Sequence, residues 1–233
     1  MFQPPDRVVD LSLPVEEGMP VWPGFPHVVL EQTALRAKDG FTMDTVEMRT
    51  HTGTHLDAPL HFIADGKTLD DFGVEKFMGE GVVLDLTPCE SAETITVDRL
   101  EPFADDLEDG DVVLLHTGWD QYHGRTAEWM FEFPHLAEEA SRWLADRGAT
   151  VVGIDTPSVG GWYDEVPNHG PTTDVHPQDS HLPLLSNDVL TLEELCNLGA
   201  VLDGADSRRA YFCFPPLNFQ GTSGSSVRAF AFL

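Results

Sequence analysis

The chain has 233 residues, 41% of them hydrophobic, with 40 acidic residues against 13 basic ones and a formal net charge of -27. That length is enough to bury one sizeable core. A surface this acidic excludes nucleic acid and anionic membrane as partners, because phosphate binding needs Lys and Arg.

The lysines are confined to Lys38, Lys67 and Lys76. Self-repulsion on this scale weakens a compact state at low salt and is screened at high salt, so the acidity reads as a halophilic adaptation to a salty cytoplasm. No composition shift, linker or repeat divides the chain, so residues 1–233 read as a single domain. No apolar stretch reaches the roughly 18 residues of a membrane helix, and no targeting segment is visible, so a cytoplasmic location is expected. Cys89, Cys196 and Cys213 form no C-x-x-C pair. They read as buried thiols rather than as a disulfide framework or a nucleophile.

Residues 8–13 read as a short strand ended by Pro14. Pro20-Val21-Trp22-Pro23-Gly24 follows as a turn-rich loop that presents a tryptophan. Residues 45–49 alternate like a strand, and residues 82–86 and 112–116 are apolar runs of buried-strand length. Residues 136–147 carry Leu136, Ala140, Trp143 and Leu144 at helical spacing, with Gly148 placed as a C-terminal cap. An apolar β-rich run resumes at 150–154, so the pattern favours an α/β fold with a mixed sheet. Residues 156–180 are rich in Pro and Gly and read as a lid or binding loop. Residues 227–233 read as a final strand.

The segment from His51 to His61 carries the chemistry. His51, His55, Asp57 and His61 fall within eleven residues. Imidazole nitrogen and carboxylate oxygen together suit zinc, manganese or iron. In an extended segment all four side chains point to one face. Gly53 lets the backbone bend, and Pro59 takes the second half out of a sheet.

The pattern H-x-G-T-H-x-D-x-P-x-H over 51–61 resembles the signature of the putative cyclase family, which includes bacterial kynurenine formamidases and isatin hydrolases. Further blocks resemble that family in the same order along the chain. They are Pro20 to Gly24, Gly153-Ile154-Asp155-Thr156 with Ser158, His181 with Leu184 and Leu185, Glu193 with Leu195, Asn197 and Leu198, and Val227-Arg228-Ala229.

The resemblance implies a mixed-sheet swivelling β/β/α domain and a metal-dependent hydrolase that cleaves an amide, formamide or cyclic amide of a small-molecule substrate. N-formylkynurenine, the substrate of an arylformamidase, leads among the specific candidates. One or two divalent ions per subunit, zinc or manganese, and a homodimer or homotetramer are implied with it. Matched by position, His51, His55 and Asp57 resemble the ligands of a first ion. Asp57, His181 and Glu193 resemble those of a second. His61 resembles the acid–base catalyst, and Trp22 a substrate contact.

Other readings stay open at this level. His169 and His176 could replace His181 as ligands. His116 reads as a structural histidine. Asp155 reads as a support for the ligands or as the cap of a turn. Thr191 and Glu194 fit a capping box, which would place Glu194 at a helix start and leave Glu193 free to ligate. The rival functions are a serine hydrolase using Ser158 or Ser223, and a metal-binding protein without turnover.

Overall fold

The computed structural model describes residues 5–164 and 173–233. In chain order the strands are β1 (Val8–Asp10), β2 (Val29–Ala34), β3 (Met43–Glu47), β4 (His55–Asp57), β5 (Met78–Asp85), β6 (Thr94–Ile95), β7 (Val112–His116), β8 (His135–Leu136), β9 (Val151–Ile154), β10 (Leu190–Glu193), β11 (Ser207–Cys213), β12 (Gly224–Ser226) and β13 (Phe230–Phe232). Nine of them form one mixed sheet in the order β1-β13-β11-β5-β7-β9-β10-β4-β12. Its centre, β5-β7-β9-β10, is parallel, and both flanks are antiparallel. The expected α/β class with a mixed sheet is the one found.

The apolar runs at 82–86 and 112–116 mark central strands because a parallel sheet is covered on both faces. Val82, Leu84, Val113, Leu115, Val152 and Ile154 pack on one face, beneath the helices Glu138–Asp146 and Pro177–Leu185. Val83, Val112, Leu114 and Val151 pack on the other, with the helix Leu198–Leu202. Full burial of each such side chain contributes roughly 1.5–3 kcal/mol.

Several boundaries moved. The helix expected over 136–147 runs Glu138–Asp146, because Leu136 pairs in β8 with β6. Gly148 follows its end at φ 82, as a C-terminal glycine should. The strand expected at 45–49 is β3, and its partner β2 went unseen. Together they form an arm in which only Ala34 is buried, so no pattern of burial betrays β2. The strand expected over 227–233 shortens to Phe230–Phe232, and Val227 makes an isolated bridge to Pro216.

The sheet order fixes where chemistry can occur. The parallel strands β7, β9 and β10 run the same way, and the antiparallel β4 begins where β10 ends, with Glu193 opposite His55. Ligand-type residues therefore gather at the carboxyl ends of the parallel strands, where open α/β sheets place their sites. Among the described residues no helix is long and apolar enough to cross a membrane.

Candidate active site and metal centre

The segment 51–61 is not one extended strand. Only His55–Asp57 is sheet, and Pro59–His61 is a 3-10 turn. Gly53 turns the backbone at φ 64, so His51 folds back towards β4 instead of continuing it. The four side chains converge all the same. The His51 and His61 rings stack at 4.0 Å, and Nδ1 of His51 lies 2.5 Å from Oδ1 of Asp57.

The donors form two groups that share Asp57. His51, His55 and Asp57 make one, and Asp57, His181 and Glu193 the other; within each, the ligating atoms lie within 4.8 Å of one another. His181 is delivered by the helix Pro177–Leu185 and Glu193 by the end of β10. His55 Nδ1 lies 2.8 Å from the Gly53 carbonyl, and His181 Nδ1 lies 2.7 Å from the Pro177 carbonyl. Each Nδ1–H donates to a backbone oxygen, which turns Nε2 inward towards the carboxylates of Asp57 and Glu193, the arrangement that orients metal-ligating histidines. The carboxylates are held as firmly. Thr191 Oγ1 donates to Asp57 at 2.8 Å, while Ser158 Oγ and the Val159 amide donate to Glu193 at 3.1 and 2.8 Å.

Two buried carboxylates amid imidazoles require positive charge, from ring protons or from a cation. Burial lowers the pKa of His55, but the hydrogen bond to Asp57 and the charges of Asp57 and Glu193 outweigh it and raise His55 to about 9. The same contest, with hydrogen bonds to both carboxylates, raises His181 to about 10. Burial would raise Asp57, yet the His51 and His61 rings hold it well below its usual range. Nitrogen and carboxylate oxygen donors, buried and prealigned, fit a divalent cation, whose charge would stand in for that of the ring protons. His61 differs: burial, with the His51 and His181 rings beside it, pushes it down to about 4 and keeps it neutral.

A cavity of about 280 Å³ opens over these groups. Trp22, Phe25, Phe62, Trp162 and Tyr163 supply aromatic walls, and His51, His55, His61, His181 and Glu193 form the polar floor. Trp22 packs at 5.1 Å from Trp162. Its loop rests on Met19 and Val21, which cluster with Val28 and Met48 at the roots of the β2–β3 arm.

All the residues expected at the site, namely Trp22, His51, His55, Asp57, His61, His181 and Glu193, thus meet in one place. His176 lines the cavity but belongs to neither donor group; its Nδ1 accepts from the Gln178 amide at 3.1 Å and caps a helix. His169 lies outside the described residues. His116 is structural, 3.1 Å from Asp85. Asp155 accepts from the Thr117 amide and hydroxyl and from the Gly118 amide, so it fixes the loop after β7.

The capping box at Thr191 and Glu194 is overturned. Thr191 and Glu193 lie in β10, where alternation sends both side chains to the Asp57 side, and the next helix begins only at Leu198. Thr191, which bonds Asp57, and Gly224, which packs against His51, are residues of the site that sequence reasoning missed. A Cβ on Gly224 would lie 2.5 Å from the His51 ring, so glycine there makes room for the ligand.

The match to a family model described as putative cyclase covers residues 9–160. A kynurenine formamidase of Bacillus cereus is 33% identical over 152 residues, covering 65% of this chain and 69% of that protein. A solved structure described as a potential metal-dependent hydrolase with cyclase activity superposes with a TM-score of 0.75 at 28% identity, over 97% of this chain and 96% of the other. An isatin hydrolase bound to thioisatinate gives a TM-score of 0.82 at 21% identity, over 97% and 92% of the two chains, a likeness of fold.

Proposed function

The chain belongs to the putative cyclase family, and from that premise we propose that it is a metal-dependent hydrolase of non-peptide C–N bonds, of the arylformamidase kind. The observation that carries this reading is the double donor set around Asp57 at the floor of an aromatic cavity. The substrate proposed is N-formylkynurenine or a similar aryl formamide, and the ions are zinc or manganese, one or two per subunit. A homodimer or homotetramer working in the cytoplasm completes the proposal.

A divalent ion, when bound, supplies Lewis acidity towards a carbonyl and lowers the pKa of bound water to about 7. His51, His55 and Asp57 would hold one ion, and Asp57, His181 and Glu193 a second. The other steps fall to the chain itself. Trp22, Phe62 and Trp162 hold the aryl group and exclude water. His61, neutral and lining the cavity, accepts a proton from the attacking water and returns it to the leaving nitrogen; such general acid–base work contributes about 10²–10⁴-fold. The test is hydrolysis of formanilide and N-formylkynurenine by protein loaded with zinc or manganese. Failure on both, with metal bound, overturns the reading.

One observation favours a second reading. Ser223 Oγ lies 2.9 Å from His51 Nε2, and His51 Nδ1 faces Asp57, the connectivity of a serine-hydrolase triad. Against it, Ser223 is not part of the cavity wall. Its hydroxyl is better suited to orienting His51 as a ligand.

A further inference from the structure

Glu194 belongs to neither donor group, although it follows Glu193 directly. It is 7% exposed and lines the cavity together with Trp22 and Trp162. Its Oε2 is buried without a hydrogen-bond partner. Buried carboxylate oxygens are rarely left unmatched, and such an atom in a cavity wall is an acceptor without its donor.

The backbone adds an independent observation. Glu194 sits at φ 55, in the left-handed region that glycine and asparagine occupy with less strain. Its amide donates to the Thr156 carbonyl at 2.9 Å, and its carbonyl accepts from Thr54 Oγ1 at 2.5 Å, so both ends of the residue are pinned in that conformation. Strain of this kind, retained at a cavity wall, points to a task for the side chain.

The rest of the wall defines what that task can be. No Lys or Arg lines the cavity among the described residues. Residues 165–172 contain neither in sequence. Away from the histidine floor an anionic substituent therefore meets no lysine or arginine, whereas a cation beside Glu194 meets a carboxylate and the faces of aromatic rings, which attract it.

We propose that Glu194 is the specificity residue of this cavity, accepting a hydrogen bond from an N–H group, ideally an ammonium, on an aromatic substrate and disfavouring substrates that carry a carboxylate in its place. The proposal rests on the hydrolase reading above and narrows its substrate class to aryl amides with a donor or cationic substituent.

The test uses metal-loaded full-length protein and formanilides of matched shape bearing an aminomethyl, hydroxymethyl or carboxyl group at the meta or para position. The aminomethyl compound should show the highest kcat/KM at one of the two positions and the carboxyl compound the lowest. Glu194→Gln should reduce the preference for aminomethyl over hydroxymethyl by about 10- to 100-fold, the range of a charge-assisted hydrogen bond. Glu194→Asn, which fits the left-handed backbone, should do the same without loss of thermal stability. Binding of benzylammonium and of benzoate, followed by calorimetry, reads the same preference without turnover. An unchanged ratio in both variants, or tighter binding of benzoate than of benzylammonium, overturns the proposal. If no formanilide is hydrolysed but benzylammonium binds in a Glu194-dependent way, the hydrolase reading falls and this one stands.

Discussion

Glu193 stands opposite His55 across the antiparallel pair β10–β4, with its Oε2 3.5 Å from the imidazole Nε2. A single residue pair in the sheet register thereby joins the two donor groups, one from each strand, on either side of Asp57.

That pairing predicts how metal content responds to mutation. Glu193→Gln and His181→Ala should each lower the metal bound per chain, His55→Ala should do so as well, and Glu194→Gln should leave it intact. Elemental analysis after purification decides this. Removing the metal should also destabilise the fold, since a ligand at 100 times its Kd contributes about 2.7 kcal/mol. For a chain of this size that is a fall of roughly 5–10 °C in melting temperature on chelation.

His61 sits on the cavity floor outside both donor groups, and it is held neutral. His61→Ala should keep its metal and lose about 10²–10⁴-fold in kcat. Loss of all metal in this variant would make His61 a ligand instead.

Ser223 and Gly224 both act on the His51 ring. Ser223→Ala should cost about 10–100-fold in metal affinity or activity if the hydroxyl only orients the ring. A serine nucleophile predicts a loss nearer 10⁶-fold, and inactivation by fluorophosphonate. Gly224→Ala should be worse than Ser223→Ala for metal binding, because the added methyl meets both the ring and the Leu56 carbonyl at 2.7 Å. Metal titrations of the two variants give the order.

How far the sequence spoke for the site depends on the scale of the signal. His51, His55, Asp57 and His61 are close in the chain, so their shared chemistry was readable, yet their convergence comes from the Gly53 turn and a 3-10 turn rather than from strand alternation. His181 and Glu193 were placed by family resemblance alone, because nothing local in the sequence shows that β10 pairs with β4. Thr191 was misassigned for the same reason: a threonine three residues before a glutamate looks like a helix start until the strand partner is known. The central strands were legible because burial on both faces leaves an unbroken apolar run. The exposed β2 leaves no such trace.

The acidic surface predicts salt dependence. At 0.1 M ionic strength the Debye length is about 10 Å, so repulsion among the carboxylates is only partly screened. The melting temperature should rise from 0.1 M to molar potassium chloride. A flat or falling series would remove the halophilic interpretation.

The thiols should be inert. Burial pushes Cys89 and Cys196 up to about 12, with Glu93 adding to the effect on Cys89 and Asp120 on Cys196. Because the raised pKa keeps both as neutral thiols at pH 8, iodoacetamide should label them slowly in the folded protein and readily after denaturation. Mass spectrometry of labelled peptides provides the measurement.

The shared carboxylate also governs when the site comes into being. Asp57 meets Thr191 across 134 residues of chain, and His51 meets Ser223 across 172. Loops of that length close late and slowly, after local helices and the hairpin arm have formed. The group of Asp57, His181 and Glu193 can therefore ligate fully only once β4 has paired with β10, whereas His51, His55 and Asp57 lie within one short segment. In a refolding experiment, the return of the second group's metal affinity would time the final closure of the sheet, long after helical signal has recovered.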